Sequence, residues 1–361
     1  MANQTKVTEE KVLAALGGVI DPELNQDLVS LDMIKDLKID GGKVRFRIQL
    51  TTPACPLQDH IEASARSAVE AIPGVSAVEI EFGASVPSDR RIKEKGIQTM
   101  RNTIAIASGK GGVGKTTVAV NVAVALAKSG AKVGLLDADI YGPNVPTMMG
   151  LDAMPAPQGG KMIPAESYGV KVMSIGFLVR PDQPIIWRGP MLHSAIQQFI
   201  NDVAWGDLDY LIVDLPPGTG DAQLSLAQSV PLSGGVIVTL PQNVSLEDAR
   251  RGLEMFRTMD VPILGVVENM SYLELPDGQR VDVFGHGGGK KLAGETGVEL
   301  IGEIPMDAIV RESGDTGKPV VLDRPESAVA QALVAIAEKI AAKISQLAMD
   351  KKQNIPLEII D

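Results

Sequence analysis

Between an apolar run of strand type, Ile104 to Ala107, and an alanine- and valine-rich run of helical type, Val118 to Ala127, lies Ser108-Gly109-Lys110-Gly111-Gly112-Val113-Gly114-Lys115-Thr116-Thr117. Gly109 to Thr116 fits the spacing G-x-x-x-x-G-K-[ST]. A chain with this stretch must build a strand, a tight loop and a helix start in that order. Glycines let successive backbone N–H groups curl around an anion where a Cβ would intrude. The helix that follows turns its unpaired N–H groups and positive dipole end toward the same point. Lys115 then faces the β- and γ-phosphates, and the Thr116 hydroxyl faces a Mg²⁺ ion. A ligand-free glycine-rich turn is the competing reading, and the full match in strand–loop–helix context argues against it. Gly109, Lys110, Gly111, Gly112, Val113, Gly114, Lys115, Thr116 and Thr117 therefore read as a nucleotide cradle.

From Asn102 onward, strand and helix patterns alternate. Strands are expected at Thr103–Ala107, Lys132–Leu136, Lys171–Ile175, Tyr210–Val213, Gly235–Leu240, Ile263–Val267 and Leu300–Glu303. Most are continuous β-branched runs, as in a parallel sheet covered on both faces. Residues 8–86 read differently, as a small α+β domain. Thr8 is placed to cap a helix through Leu16, and Gly41-Gly42 to turn a hairpin. Val44, Phe46, Ile48 and Leu50 alternate with charged or polar residues, as in a half-buried strand. A helix follows Pro56, and Val78, Ile80 and Phe82 mark another strand. Residues 87–100 have the composition of a linker. The expected fold class is α/β: a mainly parallel P-loop NTPase domain over 101–361, preceded by the small α+β domain.

Composition narrows the function classes. The net charge of −11 works against general binding to nucleic acid or to an anionic membrane. No run reaches the roughly 18 apolar residues of a membrane span, and Met1–Lys6 is not followed by the apolar segment of a secretory signal. The one cysteine, Cys55, excludes an intrachain disulfide. The expectation is a cytoplasmic protein that binds neither nucleic acid nor membrane.

In parallel α/β sheets ligands sit beyond the carboxyl ends of the strands. Lys132–Leu136 runs into Asp137-Ala138-Asp139, and Tyr210–Val213 into Asp214-Leu215-Pro216-Pro217-Gly218-Thr219-Gly220-Asp221. A lone Asp at a strand end is most simply a helix cap. Three behind a phosphate loop point instead to holding Mg²⁺ or orienting an attacking water. Pro216-Pro217-Gly218-Thr219-Gly220 reads as a switch loop sensing the γ-phosphate. Strand Ile263–Val267 ends at Glu268-Asn269-Met270, and Asn269 has the donor and acceptor to read an adenine edge, with a turn-forming Asn as the alternative.

Lys110, directly after the first glycine, makes this loop resemble the deviant phosphate loop of the MinD/ParA/nitrogenase-iron-protein group. Asp137 to Asn144, Trp187-Arg188-Gly189-Pro190, Asp214 to Asp221 and Glu268-Asn269-Met270-Ser271-Tyr272 narrow the resemblance to the ApbC/Mrp family of iron–sulfur cluster carrier ATPases. The leading domain, with Asp21-Pro22-Glu23 and Thr51 to Pro56, resembles a small domain linked to iron–sulfur assembly. The resemblance implies a homodimeric, Mg²⁺- and ATP-dependent ATPase that serves iron–sulfur assembly or recipient proteins, with an iron–sulfur cluster as cargo. It implies that Lys110 reaches the partner subunit's nucleotide, that Lys115 stabilises the phosphates and that Asp139 orients the hydrolytic water. Thr116, Asp137 and Asp214 would support Mg²⁺, and Asn269 would contact adenine.

One departure stands out. The family usually carries a Cys-x-x-Cys pair after Asn-Met-Ser, whereas Ser271 to Gln279 contains no cysteine. A [4Fe–4S] cluster normally takes four thiolates, and a dimer of this chain has two, both Cys55. Cys55 precedes Pro56 at an expected helix start, where the dipole lowers a thiol pKa. It is a candidate cluster or client contact, with a small buried residue as the alternative. The missing pair supports a second reading, a MinD/ParA-like switch that positions or releases a protein partner. A small-molecule kinase or synthetase is a third reading, for which no acceptor site is evident. His60, His193 and His286 show no metal-ligand spacing. Gly285-His286-Gly287-Gly288-Gly289 reads as a mobile loop or a second phosphate site. The helical stretch from about Glu326 to Met349 is expected to pack on the sheet, and the acidic tail Pro356–Asp361 does not suit a membrane anchor.

Overall fold

The computed structural model describes residues 6–94, 99–140, 142–178 and 189–353. Tyr141, Trp187-Arg188, residues 95–98 of the linker stretch and the tail Pro356–Asp361 lie outside them. The chain forms two compact units, one from Ser88 to Ile340, the other from residues up to Pro87 together with those from Ala341 on.

In the smaller unit α1 (Glu9–Leu16) starts at Thr8, whose hydroxyl accepts the Lys11 N–H. A two-stranded pair, β1 (Ile20–Asp21) and β2 (Gln26–Asp27), precedes β3 (Ile34–Asp40), β4 (Lys43–Leu50), α2 (Gln58–Glu70) and β5 (Ala77–Ala84). β3 pairs antiparallel with β4, and β5 runs parallel to it on the other side. Val44, Phe46, Ile48 and Leu50 are buried, as their alternation requires. The opposite face is laced by ion pairs: Lys43 Nζ to Glu79 at 2.5 Å, Arg47 to Asp36 at 2.8 Å and Arg45 to Glu79 at 3.2 Å.

The larger unit opens with α3 (Arg90–Glu94), inside the stretch of linker composition. Here Asp89, 8% exposed, grips Arg91 at 2.7 Å, and Arg91 donates to the Ser233 carbonyl at 3.1 Å. β6 (Met100–Ala107), α4 (Lys115–Lys128), β7 (Val133–Asp137), α5 (Val145–Met148), β8 (Ala165–Ser167) and β9 (Val170–Ser174) follow, then α6 (Gly189–Asn201), β10 (Leu208–Asp214) and α7 (Asp221–Ser229). The rest is β11 (Gly234–Thr239), α8 (Asn243–Thr258), β12 (Ile263–Glu268), the hairpin β13 (Leu273–Glu274) and β14 (Arg280–Val281), α9 (Gly288–Thr296), β15 (Leu300–Glu303), α10 (Ala308–Asp315), α11 (Val320–Asp323) and α12 (Ala328–Gln353). Eight strands form one sheet in the order β15-β12-β11-β6-β10-β7-β9-β8. All its pairings are parallel except β8 with β9. The α/β expectation holds. The antiparallel edge strand β8 was not expected, because three residues are too few to show a period.

Every residue of β7 and β11 is buried, which explains their unbroken apolar runs. α4 is buried nearly throughout, from Val118 to Leu126, and its small side chains suit a helix pressed on the sheet. Two segments turn out otherwise than their composition suggests. α12 meets the sheet in its first half, where Lys339 Nζ donates to the Ile301 carbonyl at 3.0 Å. From Ala341 it belongs to the smaller unit, where Ser345 donates to the Thr51 carbonyl and Gln346 to that of Glu23. The Gly287–Gly289 run starts α9 and is not a loop for a second phosphate. Gly287 adopts φ +66, a Cβ on Gly288 would strike the Pro241 backbone, and the Gly289 N–H donates to the buried Glu268 carboxylate. The anion position at this helix start is filled by the chain's own side chain. Among the described residues no helix is long and apolar enough to cross a membrane.

Candidate nucleotide site

The loop between β6 and α4 borders a cavity of about 510 Å³. Gly112 and Gly114 sit at φ +79 and +81, conformations that L side chains rarely adopt. Gly109 is required for another reason: the backbone of Asp248 in α8 stands where its Cβ would be. Ser108 Oγ donates to the Lys110 carbonyl at 2.9 Å, pinning the start of the loop, and Lys110 itself lines the cavity half-exposed.

Beneath the loop the ends of three neighbouring strands converge. Asp137 and Asp214 are register partners on β7 and β10, and Ile106 of β6 flanks Asp214 on the other side. Lys115, 5% exposed, places Nζ 2.5 Å from Asp214 Oδ1 and 3.4 Å from Asp139 Oδ2. The Thr116 hydroxyl donates to Asp214 Oδ2 at 2.7 Å. Asp137 accepts from Ser174 Oγ at 2.8 Å, from the Asp139 N–H at 3.1 Å and from the Val145 N–H at 3.3 Å. Burial, then the charge of Asp214, pushes the Asp137 carboxyl up to about 8. Burial raises Asp214 as well, against the opposing pull of Lys115. Asp214 and Asp139, both buried, share the Lys115 ammonium.

The loop after β10 lies against this cradle. The Gly218 N–H donates to the Ser108 carbonyl at 2.9 Å, Gln223 donates to the Pro217 carbonyl at 2.8 Å, and Pro217 lines the cavity. Asn269 has turned toward the loop: Nδ2 donates to the Val113 carbonyl at 2.9 Å, and a Cβ on Gly114 would strike it. It is the neighbouring Met270 that lines the cavity.

Sequence reasoning missed the far wall, which α10 supplies through Asp307, Val310, Arg311 and Gly314. Its trace in the sequence is Asp307, just beyond the strand at 300–303, which caps α10 by accepting the Ile309 N–H at 3.0 Å. Cys55 lies far along the chain in the smaller unit, half-buried against that unit's core. Among the described residues no three His, Cys, Asp or Glu side chains gather as a metal cluster.

Residues 99–341 match the family described as NUBPL iron-transfer P-loop NTPase, and residues 9–82 match the family described as iron–sulfur cluster assembly protein. An iron–sulfur cluster carrier protein of Synechocystis sp. is 55% identical over 95% of this chain and 99% of its own length. A nucleotide-binding protein of Archaeoglobus fulgidus, solved with ADP, is 39% identical over 66% of this chain and 94% of that one, with a TM-score of 0.57. The septum site-determining protein MinD of Pyrococcus horikoshii, solved with Mg-ADP, shares the fold at 24% identity and a TM-score of 0.50, over 65% of this chain and 94% of that one. With its phosphate loop, its carboxylate-tipped parallel strands and its leading assembly-type domain, the chain belongs to the iron–sulfur cluster carrier family of P-loop NTPases.

Proposed function

We propose that the protein is a homodimeric Mg·ATPase that serves the assembly or transfer of iron–sulfur clusters to recipient proteins. The observation that carries the nucleotide half is Lys115, held between Asp214 and Asp139 under a loop of positive-φ glycines at the mouth of a cavity. The cluster half rests on the 55% identity to a named carrier over nearly the full chain.

The chain's own groups divide the work. Lys115 gives up its carboxylate contacts for the β- and γ-phosphates, and the N–H groups from Gly111 to Thr117 wrap them. The Thr116 hydroxyl and Asp214 carboxylate, already 2.7 Å apart with Asp137 beside them, are hard oxygen donors that suit Mg²⁺, which takes few protein ligands beside phosphate oxygens. When bound, that ion neutralises charge on the phosphate oxygens. Asp139 accepts a hydrogen bond from the hydrolytic water and so aims it. Lys110 extends toward the partner subunit's nucleotide, where it meets charge developing in the transition state. Asn269 fixes the Val113 turn, and Met270 with α10 bounds the rest of the nucleotide. Pro217 and Gly218 report whether a γ-phosphate is present.

Residues 271–279 contain no thiol, and 273–281 close as a short hairpin, so cysteines of this segment do not hold the cargo. One cysteine per chain gives a dimer two thiolates where four are usual, so Cys55 or the recipient's own ligands make the cluster contact. Anaerobic reconstitution with iron and sulfide counting on wild type and Cys55→Ser tests this, beside ATP turnover of wild type and Lys115→Ala. Loss of turnover in Lys115→Ala and loss of iron in Cys55→Ser are expected. Undiminished turnover refutes the site. No iron on either protein removes direct carriage and leaves the switch that acts on a protein partner.

A further inference from the structure

We propose that Glu268 is a positioning residue that ties the nucleotide cavity to the hairpin segment 271–287, so that nucleotide binding changes how firmly that hairpin is held. Glu268 ends β12 and is 1% exposed. Its carboxylate is held by neutral donors: Ser271 Oγ donates to Oε1, and the Gly289 N–H donates to Oε2. The second contact caps α9, whose own N-cap residue, Gly287, offers no side chain. A serine or asparagine local to α9 would cap it without burying a carboxylate, which is costly to remove from water. What Glu268 does that a local cap cannot is grip both ends of the hairpin at once. Ser271 is its entry, and Gly289 lies just past its exit.

The backbone around Glu268 is wired to the nucleotide cavity along two routes. Its neighbour Asn269 donates through its N–H to the Thr239 carbonyl at 2.8 Å and through Nδ2 to Val113 of the phosphate loop at 2.9 Å. The Glu268 carbonyl accepts the Ile304 N–H at 2.8 Å, the Ser271 N–H donates to the Ile304 carbonyl at 2.9 Å, and the Tyr272 carbonyl accepts the Met306 N–H at 2.7 Å. The next residue, Asp307, caps α10, the far wall of the cavity. Any nucleotide that draws the phosphate loop and α10 together therefore pulls on residues 268–272 from both sides.

Beyond that anchored base the hairpin is lightly held. β13 and β14 pair over two residues each, the turn closes through Leu275, Asp277, Gly278 and Gln279, and Arg280 stacks on Tyr272 at 4.0 Å. Val281 and Val283 are 40% and 49% exposed. A short hairpin of this kind is marginal by itself, so the grip at its base decides how often it opens.

The inference rests on the nucleotide site proposed above, and hydrogen exchange on the full-length protein, with and without saturating ADP, tests both. In wild type, ADP should change exchange of the hairpin amides, Leu275 and Gly278 among them, by about threefold or more. In Glu268→Gln, one oxygen that accepts from a fixed donor becomes an NH₂. ADP affinity should stay within about threefold of wild type while the ADP-dependent difference at the hairpin falls to none. Ser271→Ala should abolish the hairpin response yet leave the Gly289 amide protected, because the cap on α9 survives. A purely structural role would speed exchange equally in both states and leave the ADP difference intact. Absence of saturable ADP binding in wild type overturns the nucleotide site and this inference with it. ADP binding without a hairpin response, or a response retained in Ser271→Ala, overturns the inference alone. If Glu268→Gln does not fold, Ser271→Ala decides.

Discussion

Lys115 has two roles that one double-mutant cycle can separate. Without nucleotide its ammonium pairs with Asp214, whose side chain is fully buried, and with Asp139. Breaking a buried pair from one side costs about 3–5 kcal/mol, because the remaining charge stays uncompensated. Lys115→Met should approach that range. Asp214→Asn should cost less, about 1–3 kcal/mol, because Lys115 keeps Asp139 at 3.4 Å. The double variant removes both charges, so its cost should fall short of the sum by about 2 kcal/mol or more. The Lys115→Met loss should also depend on pH. Without the ammonium the Asp214 carboxyl rises further, and a group whose folded pKa is raised gives up stability as pH climbs from its unfolded range through the folded value. Stability of Lys115→Met relative to wild type should therefore fall as pH rises above the ordinary carboxylate range, by at most about 1.4 kcal/mol per pH unit for one proton. Urea unfolding without nucleotide or metal measures this, with fluorescence of the buried Trp205 reporting the larger unit. A coupling below about 0.5 kcal/mol, with no pH dependence, would show that the pair is incidental to the site.

Three further outcomes follow from other parts of the chain. Burial pushes Asp89 up, but the hydrogen bonds and charge of Arg91 outweigh it and hold the carboxyl below its ordinary 3.8. The stability it contributes is fully present above that value and is lost as pH falls through the lowered one, so Asp89→Asn should cost about 1–3 kcal/mol at pH 7 and progressively less as pH falls below 3.8, as read from urea midpoints. Lys110→Ala should leave ADP binding by calorimetry nearly unchanged while turnover falls on the order of a hundredfold, as for loss of one group that stabilises transition-state charge; turnover within a factor of two would remove it from the reaction. Gly109→Ala sets a Cβ against the Asp248 backbone, so the loop must move away from α8. ADP affinity should drop at least about tenfold, and an unchanged affinity would mean that α8 yields instead.

How much of this was open to a reader of the sequence depends on how far apart the cooperating residues lie. Where they are adjacent, spacing suffices. The Thr8 cap, the alternation from Val44 to Leu50 and the glycines before Lys115 each dictate a local geometry that the structure contains. Strand ends could also be placed from apolar runs, but which ends meet is a matter of strand order. Only because β7 lies beside β10 do Asp137 and Asp214 share a register, and do Asp214 and Asp139 meet at one lysine. Composition misled where a glycine's reason lies elsewhere in the chain. Gly287 to Gly289 look like an anion loop, yet Gly287 is glycine for its φ of +66, and Gly288 and Gly289 are small because Pro241 and Glu268, some 47 and 21 residues earlier, occupy the space beside them. Asn269 looks like a base-reading amide, yet it is turned to a carbonyl 156 residues away. These long-range contacts converge on the ends of β11, β12 and β15, between the phosphate loop and the hairpin. The chemistry of the nucleotide is therefore written locally, while the means of passing its state onward is written in pairs that only folding brings together.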